Sequence, residues 1–271
     1  GADDRTVRVW DLKNGGYCVL EGHTGEVLCV AYSPDGRRLA SGADDRTVRV
    51  WDLKNGGYRV LEGHKAKVNN VAFSQDGMQL VSSAEDGNVR IWDIAEMERP
   101  IQKENTIVGS SVAYSPDGRH IASGADDRIV RIWNLKGEVC HVLKGHTGWV
   151  RSVNYSLSGK FLVSCADDRT VRIWNLESLK SQSLEGHTDV VNSAVYSPDG
   201  WYLASGSNDK TVRIWNVPSD DYHILKGHTN KVFSIVYSPD GEYLASSSSD
   251  RTVRIFDLKS GEHHVLKGHS D

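Results

Sequence analysis

Hydrophobic and polar residues alternate over short stretches of this chain, and the stretch that ends at Trp51 shows the pattern clearly. Val48 and Val50 alternate with Thr47 and Arg49, which is the period of two typical of a β-strand with one buried face. The surrounding segment predicts four strands, at residues 27–32, 38–41, 47–51 and 58–61. The Arg of the third strand recurs along the chain, which predicts a polar, solvated face opposite the Val and Ile side chains. The recurring residues are Arg8, Arg49, Arg90, Arg131, Arg172, Arg213 and Arg254.

A turn signature separates the first two strands of this segment. Ser33, Pro34, Asp35 and Gly36 follow one another; Pro sets φ at about −65° and Gly accepts a positive φ, so the sequence favours a tight hairpin. The signature recurs intact from Ser115, Ser197 and Ser238, and in altered form from Ser74 and Ser156.

Two further markers repeat with a period of 41 residues. The first is a Gly-His pair, which ends at His23, His64, His146, His187, His228 and His269, with Asn105 in the place of one histidine. The second is an aromatic residue followed by Asp or Asn, at Trp10, Trp51, Trp92, Trp133, Trp174, Trp215 and Phe256. A fixed period of this length indicates a repeat architecture.

Together these markers resemble the WD40 repeat family over the whole chain. The resemblance implies an all-β WD40 β-propeller of four-stranded antiparallel blades, forming a single domain over residues 1–271. Six complete repeats are predicted at residues 24–64, 65–105, 106–146, 147–187, 188–228 and 229–269. Residues 1–23 correspond to the outer strand pair of an incomplete blade.

Seven aromatic markers predict seven blade positions, six of them complete and one half-built, and a six-bladed ring is the alternative. The half blade suggests an unpaired strand edge, which could accept a strand from another chain or from a second copy. A fragment of a longer array, or a deliberately constructed chain, explains the half blade equally well. The strand count does not choose among these interpretations.

Ser, His and Asp recur in a combination that has the composition of a hydrolase triad. A nucleophile is needed once, whereas this set returns in repeat after repeat, which favours a structural role. In the WD40 family such residues form a hydrogen-bonded chain with the aromatic marker. The resemblance assigns this network to His23, Ser41, Asp45 and Trp51; His64, Ser82, Asp86 and Trp92; His146, Ser164, Asp168 and Trp174; His187, Ser205, Asp209 and Trp215; and His228, Ser246 and Asp250.

Two repeats depart from this pattern. Asn105 replaces the histidine that would accompany Ser123, Asp127 and Trp133, which predicts a weaker network in that repeat. Phe256 replaces the tryptophan beside Ser246 and has no indole N–H to donate.

Composition and charge narrow the function classes. The net charge is −4, and no run of Lys or Arg long enough to follow a phosphate backbone occurs, so we expect no nucleic-acid partner. No apolar stretch approaches the roughly 20 residues of a membrane helix, so no membrane partner is expected. Four cysteines without metal-like spacing favour a reducing, cytoplasmic setting, with Cys18 exposed and Cys29 and Cys165 as small packing residues. We expect no catalytic residue, no metal and no cofactor, because no unique acid pair, metal cluster or phosphate loop occurs.

The family resemblance implies that partners bind at the loops before the first strand of each repeat. The positions concerned lie three and five residues after the Gly-His histidine, and just before the network aspartate. The resulting candidates are Asp44, Lys67, Asn69, Glu85, Asp126, Trp149, Arg151, Asp167, Asn192, Lys231 and Phe233. Trp149 lies beside Arg151 and Phe233 beside Lys231, and aromatic residues and Arg are enriched in binding hot spots. The four acidic residues are expected to form a ring opposing these cations.

The sequence therefore predicts a non-catalytic protein-interaction scaffold, part of a larger multidomain protein, that binds a peptide with basic and apolar residues. The alternative is a self-assembling module, a homo-oligomer in which incomplete rings complete one another. An enzyme with its site at the central pore is the third hypothesis.

Overall fold

The computed structural model describes residues 4–11, 14–94, 109–219 and 221–267, and every regular element within them is a β-strand. The chain divides into two compact units, Gly1–Tyr114 and Ser115–Ser270, which are described separately. The predicted strands agree with those observed, to within one or two residues at the strand ends, because the period-two pattern and the turn residues set their length.

The described residues of the first unit form ten strands. They are β1 (Val7–Trp10), β2 (Tyr17–Leu20), β3 (Val27–Tyr32), β4 (Arg38–Ala43), β5 (Val48–Asp52), β6 (Tyr58–Leu61), β7 (Val68–Phe73), β8 (Gln79–Ala84), β9 (Val89–Asp93) and β10 (Gly109–Tyr114). Strands β1 and β2 form a two-stranded antiparallel sheet, β3 to β6 a four-stranded sheet, and β7 to β9 a sheet of three described strands. Within each sheet, neighbours in the sequence are neighbours in space.

Fifteen strands occur in the part of the second unit that the structure describes. They are β11 (His120–Ala125), β12 (Ile129–Asn134), β13 (Val139–Lys144), β14 (Val150–Tyr155), β15 (Phe161–Ala166), β16 (Val171–Asn175), β17 (Ser181–Leu184), β18 (Val191–Tyr196), β19 (Tyr202–Ser207), β20 (Val212–Asn216), β21 (Tyr222–Leu225), β22 (Val232–Tyr237), β23 (Tyr243–Ser248), β24 (Thr252–Asp257) and β25 (His263–Lys267). Strands β14–β17, β18–β21 and β22–β25 form three four-stranded antiparallel sheets, each in chain order. Strands β11, β12 and β13 pair in the same antiparallel order.

The core of the first unit lies between successive sheets. Val71 and Leu80 belong to one buried cluster with Ala40, Val48 and Val50, so the third sheet packs against the face of the second. Because alternate residues of a strand point to opposite faces, a sheet with neighbours on both sides can bury one set of small and branched residues on each face. In the second unit a corresponding cluster includes Val163, Ile173, Val191, Leu203 and Trp215.

The prediction of a solvated Arg face is wrong for three repeats. Arg49, Arg90 and Arg213 are only 8%, 3% and 5% exposed. The Arg49 guanidinium lies over the Tyr58 ring, 4.6 Å from its centroid, and Arg213 lies 4.3 Å from the centroid of Tyr222. At Arg49 and Arg213 the fourth strand covers the third, so the Arg stem and head are buried under an aromatic ring that sequence alternation alone does not reveal.

Candidate functional site

A chain of hydrogen bonds crosses the second sheet from its core to the loop end. The Trp51 indole N–H donates to Ser41 Oγ at 2.8 Å, and Ser41 Oγ lies 2.7 Å from His23 Nε2. His23 Nδ1 lies 2.8 Å from Asp45 Oδ2. Because Ser41 accepts from the indole, its hydroxyl proton is available to His23 Nε2, and the proton on Nδ1 is then donated to the carboxylate.

The same chain recurs in the other repeats that carry the full set. The indole-to-serine distance is 2.8 Å at Trp92 and Trp174 and 2.7 Å at Trp215. The histidine–aspartate distance is 3.1 Å for His64, 2.8 Å for His146, 2.7 Å for His187 and 2.8 Å for His228. The aspartate also accepts from the backbone N–H that follows the histidine, at Thr24, Lys65, Thr147, Thr188 and Thr229. Each network thereby ties the loop before the first strand to the turn between the second and third strands.

Burial sets the protonation state of this network. It lowers the pKa of His23, His64, His187 and His228 below the ordinary value, despite the neighbouring carboxylates. Burial raises the pKa of Asp45, but hydrogen bonds from Thr47, Thr24 and His23 outweigh that effect and lower it to about 2. At neutral pH the histidine is therefore neutral and the aspartate charged, which matches the direction of the hydrogen bonds.

These groups are poorly suited to nucleophilic catalysis. Ser41 is fully buried, and its hydroxyl is already engaged by Trp51 and His23. A nucleophile must be reachable by the substrate and must have a base free to take its proton. The network instead satisfies buried polar groups and rigidifies each sheet.

The backbone conformation and the neighbouring Arg both favour glycine in the Gly-His pair. Gly22 has a φ of 154°, which residues with a side chain rarely adopt, and a Cβ built there would also crowd Arg49 Nη1, at 2.5 Å. Gly186 has a φ of 155° and the same relation to Arg213.

At two sites the residue in the histidine position lies outside the described residues, and there the aspartate pairs with Arg. Asn105 lies outside the described residues, whereas Trp133 still donates to Ser123 at 2.8 Å. Asp127 pairs with Arg131 at 2.7 Å, and in the first hairpin Asp4 pairs with Arg8 at 3.0 Å. Where Phe256 replaces tryptophan, Ser246 keeps its contact with His228 at 2.7 Å.

The candidate binding residues are positioned by a backbone bond that joins the two loops of each repeat. The N–H just before the network aspartate donates to a carbonyl of the loop before the first strand. Examples are Glu85 to Lys67, Asp167 to Trp149 and Asn208 to Val190, at 2.9 to 3.0 Å. This bond brings together positions that are 18 residues apart in the sequence.

In the first unit, the candidate residues Asp44 and Lys67 form an ion pair at 2.8 Å. That hydrogen bond raises the pKa of Lys67, and the charge of Glu85 acts in the same direction. Asn69 reaches the Gly109 carbonyl at 3.5 Å. Both partners of the ion pair are well exposed, so it orients the two side chains more than it stabilises the fold.

In the second unit, Trp149, Arg151 and Asp167 form one cluster, here called the Trp149 cluster. Arg151 Nη2 donates to Asp167 Oδ2 at 2.9 Å in a two-point pair, which raises the pKa of Arg151, and Asp126 adds to this. The guanidinium lies 5.3 Å from the centroid of the Trp149 ring. Trp149 remains 46% exposed, so its ring is held by the pair yet open to a partner.

Further along the second unit, Phe233 is 53% exposed and Lys231 is also exposed. Asn192 donates to Asn208 Oδ1 and to the Val232 carbonyl, both at 2.8 Å, so its amide is used within the protein. The expectation that the acidic residues oppose the cations is wrong for Asp167, which pairs directly with Arg151 beside the backbone bond from its own N–H to the Trp149 carbonyl. Asp44 pairs with Lys67, which lies in the following repeat.

Sequence reasoning missed an exposed aromatic residue at the turn between the first two strands. Trp201 is 61% exposed and follows Gly200 of the turn signature. The residue type could have identified this position from the sequence, because other repeats have Arg37, Arg119 or Lys160 where this repeat has tryptophan.

Other classes of site find no support in the described part of the chain. Within it, no group of three His, Cys, Asp or Glu side chains is arranged to hold a metal ion. No helix there is long and apolar enough to span a bilayer. The thiol of Cys18 is free and exposed and that of Cys165 is buried, as predicted, and Cys29 is half-buried.

Antiparallel sheets in chain order, four of them fastened by a full Trp–Ser–His–Asp network, define a repeat protein of the β-propeller class. The profile described as WD domain, G-beta repeat matches residues 16–52, 58–93, 102–134, 137–175, 178–216 and 220–257. The chain therefore belongs to the WD40 repeat family, as the sequence resemblance implied. Six matched repeats are consistent with the six-bladed alternative, and a seventh, half-built position stays a prediction. No curated protein matches the chain.

Proposed function

We propose that this protein is a non-catalytic interaction module that binds a peptide at the Trp149 cluster. WD40 propellers are generally protein-interaction scaffolds, and the single observation that carries the proposal is the exposed Trp149 ring held by the Arg151–Asp167 pair. An aromatic side chain that is already ordered loses little conformational entropy on binding, which makes it a suitable anchor.

The charges near Trp149 favour a peptide with both apolar and basic residues. Asp126 and Asp167 both act electrostatically on Arg151, so two carboxylates lie near one guanidinium. An apolar peptide side chain would cover the Trp149 ring, and a Lys or Arg would approach the carboxylates. Phe233 and Lys231 provide a second candidate contact for a longer peptide.

The proposal also includes the context of the protein. We propose that this chain is part of a larger multidomain protein and that it acts in a reducing, cytoplasmic setting. The four free cysteines support the reducing setting.

A peptide selection tests this function. Random displayed peptides are selected on the purified chain, and the affinities of the selected sequences are measured by calorimetry. We expect enrichment of Lys or Arg with apolar residues, and a loss of about 10-fold or more in affinity for Trp149→Ala.

Trp201→Ala is the matched control, because it removes a similarly exposed tryptophan from a different turn. It should leave the affinity unchanged. Selected peptides that bind Trp149→Ala and Phe233→Ala as tightly as the original protein would contradict the proposed site.

A further inference from the structure

The repeat at residues 147–187 departs from the turn chemistry of the other repeats at one end of its sheet. This end lies opposite the Trp149 cluster and carries the turns between the first and second strands and between the third and fourth. In the first of these turns, Leu157 stands where four repeats have proline, and Ser158 stands where all five others have aspartate. Proline and aspartate both favour this turn, so the two replacements weaken it locally. Leu157 is 66% exposed, so its side chain does not compensate by packing.

The turn between the third and fourth strands of this repeat shows a second departure. Leu179 has a φ of 56°, at the point where several other repeats have glycine, as at Gly56 and Gly261 with φ of 73° and 76°. In the described part of the chain, Leu179 is the only apolar residue other than glycine whose φ lies in this region. A bulky side chain is strained in this conformation, and such strain is found most often at binding and switch sites. Leu179 is also 46% exposed, so the strain is not offset by burial of its side chain within the fold.

A backbone hydrogen bond joins these two turns. The Leu176 N–H donates to the Lys160 carbonyl at 3.0 Å, which brings the turn after β14 beside the turn after β16. Lys160 and Lys180 are both exposed. Leu157 and Leu179 are therefore presented at one end of the sheet together with two lysines.

The neighbouring repeat adds an aromatic ring. Turns after the first strands of successive repeats pack in pairs, and a Cβ built at Gly241 would lie 3.4 Å from Pro198. Leu157 and Gly200 occupy the corresponding two positions in the preceding pair of repeats. A Cβ built at Gly200 would have no atom of a non-adjacent residue within 4 Å, so the Leu157 side chain points away from that turn. Trp201 follows Gly200 and is 61% exposed. The lower surface is defined here by Leu157, Lys160, Leu179, Lys180 and Trp201.

The charges of the lower surface favour an acidic partner. Uncharged Ser158 and Asn175 take the places of the two turn carboxylates found in the first complete repeat. Lys160 and Lys180 outnumber Glu177 on the two turns, which leaves one net positive charge. In the sequence, no other repeat has a net positive charge at the corresponding positions. A partner with Asp or Glu beside its apolar residues therefore matches this surface best.

We propose that the lower surface binds an acidic amphipathic segment of another protein. Apolar side chains of that segment cover the two leucines and Trp201, and its Asp or Glu side chains approach Lys160 and Lys180. Its apolar end lies over Trp201, because Asp199, which accepts from the Trp201 N–H at 3.0 Å, would repel an acidic side chain there. Burial of apolar area provides affinity, and the lysines provide selectivity and orientation. This inference is independent of the basic peptide proposed for the Trp149 cluster.

A selection with two matched libraries tests this surface. Both sets of displayed peptides have variable apolar positions, and the fixed positions between them carry Asp and Glu in one set and Lys in the other. We expect the acidic set to yield peptides with saturable one-to-one binding by calorimetry, weaker at higher salt. These peptides should bind Trp149→Ala as tightly as the original protein, so the two proposed sites are measured separately.

Two variants separate a binding role of the leucines from a structural one. Leu157→Pro and Leu179→Gly each restore the residue that other repeats have, and each should weaken binding of the acidic peptides by about 5-fold, because apolar contact area is lost. The urea midpoint of unfolding should stay unchanged or rise, since each variant removes an unfavourable turn residue. Leucines that served only the fold would give the opposite result, a lower midpoint with unchanged affinity.

Charge reversal tests the role of the lysines. Lys160→Glu together with Lys180→Glu should weaken binding by about 10-fold or more and remove most of its salt dependence. Lys259→Glu is the matched control, because Lys259 is an exposed lysine on the corresponding turn of another repeat, and it should have no effect. Trp201→Ala should weaken binding of the acidic peptides by about 5-fold.

Equal yields from the two libraries overturn the proposal, as does binding of the acidic peptides that the leucine variants and the charge reversal all leave unchanged. Self-association of the chain that the leucine variants abolish and that the acidic peptides do not compete with also overturns it, since a second copy would then occupy the surface.

Discussion

The network aspartate pairs with histidine in some repeats and with Arg in others. Comparing two such repeats shows how the same side chain can form either arrangement. Asp209 pairs with His187 at 2.7 Å, while Arg213 lies over Tyr222. Asp127, in the repeat where Asn105 replaces the histidine, pairs with Arg131 at 2.7 Å. The Arg lies four residues after the aspartate in both repeats, so the histidine decides whether the second carboxylate oxygen pairs with His or with Arg.

The comparison indicates that the aspartate is the fixed element of the turn. Its Oδ1 accepts from the backbone N–H two residues later in both arrangements, at Thr211 and at Ile129. The other carboxylate oxygen, Oδ2, accepts from His187 in one repeat and from Arg131 in the other. A buried histidine connects that oxygen to the core, whereas an Arg pair leaves it near solvent, and the two arrangements should differ in stability.

The largest expected effect comes from removing the aspartate from each arrangement. Asp209→Ala should cost about 3 kcal/mol of unfolding free energy, because it leaves the buried His187 and Thr188 without their acceptor. Asp127→Ala is the matched change and should cost less than about 1 kcal/mol, because its ion pair is partly exposed. Urea unfolding followed by circular dichroism measures both. Equal losses for the two variants would break the comparison.

A smaller effect is expected from converting one arrangement into the other. His187→Asn reproduces the residue found at position 105 and should cost about 2 kcal/mol, since Ser205 loses its partner. Arg213 should then approach Asp209 to within ion-pair distance, as Arg8 does with Asp4 while it also lies over Tyr17. A crystal structure of the variant measures that distance. A distance beyond ion-pair range would show that something other than the histidine controls the pairing.

The smallest effect is a dependence of stability on pH. Burial holds the pKa of His187 below its ordinary 6.5, so the unfolded chain binds protons that the folded chain does not. The stability from this group is complete above pH 6.5 and falls as the pH drops towards the folded pKa. The pKa of Asp209 is likewise lowered, although burial opposes this, because His187 and Thr211 donate to it, so further stability is lost below its ordinary 3.8.

Thermal unfolding measured from pH 8 to pH 4 checks this dependence. His187→Asn should reduce the slope between about pH 6.5 and pH 5, because one titrating group is removed. A slope that is identical in the two proteins would assign the pH dependence to other residues.

The sequence by itself determined the repeat period, the strands and the membership of each network. Residues such as His23, Ser41 and Asp45 return at constant spacing, and constant spacing in a repeat places them at equivalent points of each sheet. Exposed, variable positions such as Trp149 were also identifiable, because they lie at fixed offsets from those markers.

Only the tertiary structure decided which groups meet and which faces are covered. Arg49 lies on a strand face that alternation marks as polar, yet the neighbouring strand buries it under Tyr58. Asp167 turns to Arg151, and Val30 is exposed although Val71 is buried. Burial and pairing depend on the neighbouring strand or sheet, which a period within one repeat cannot specify.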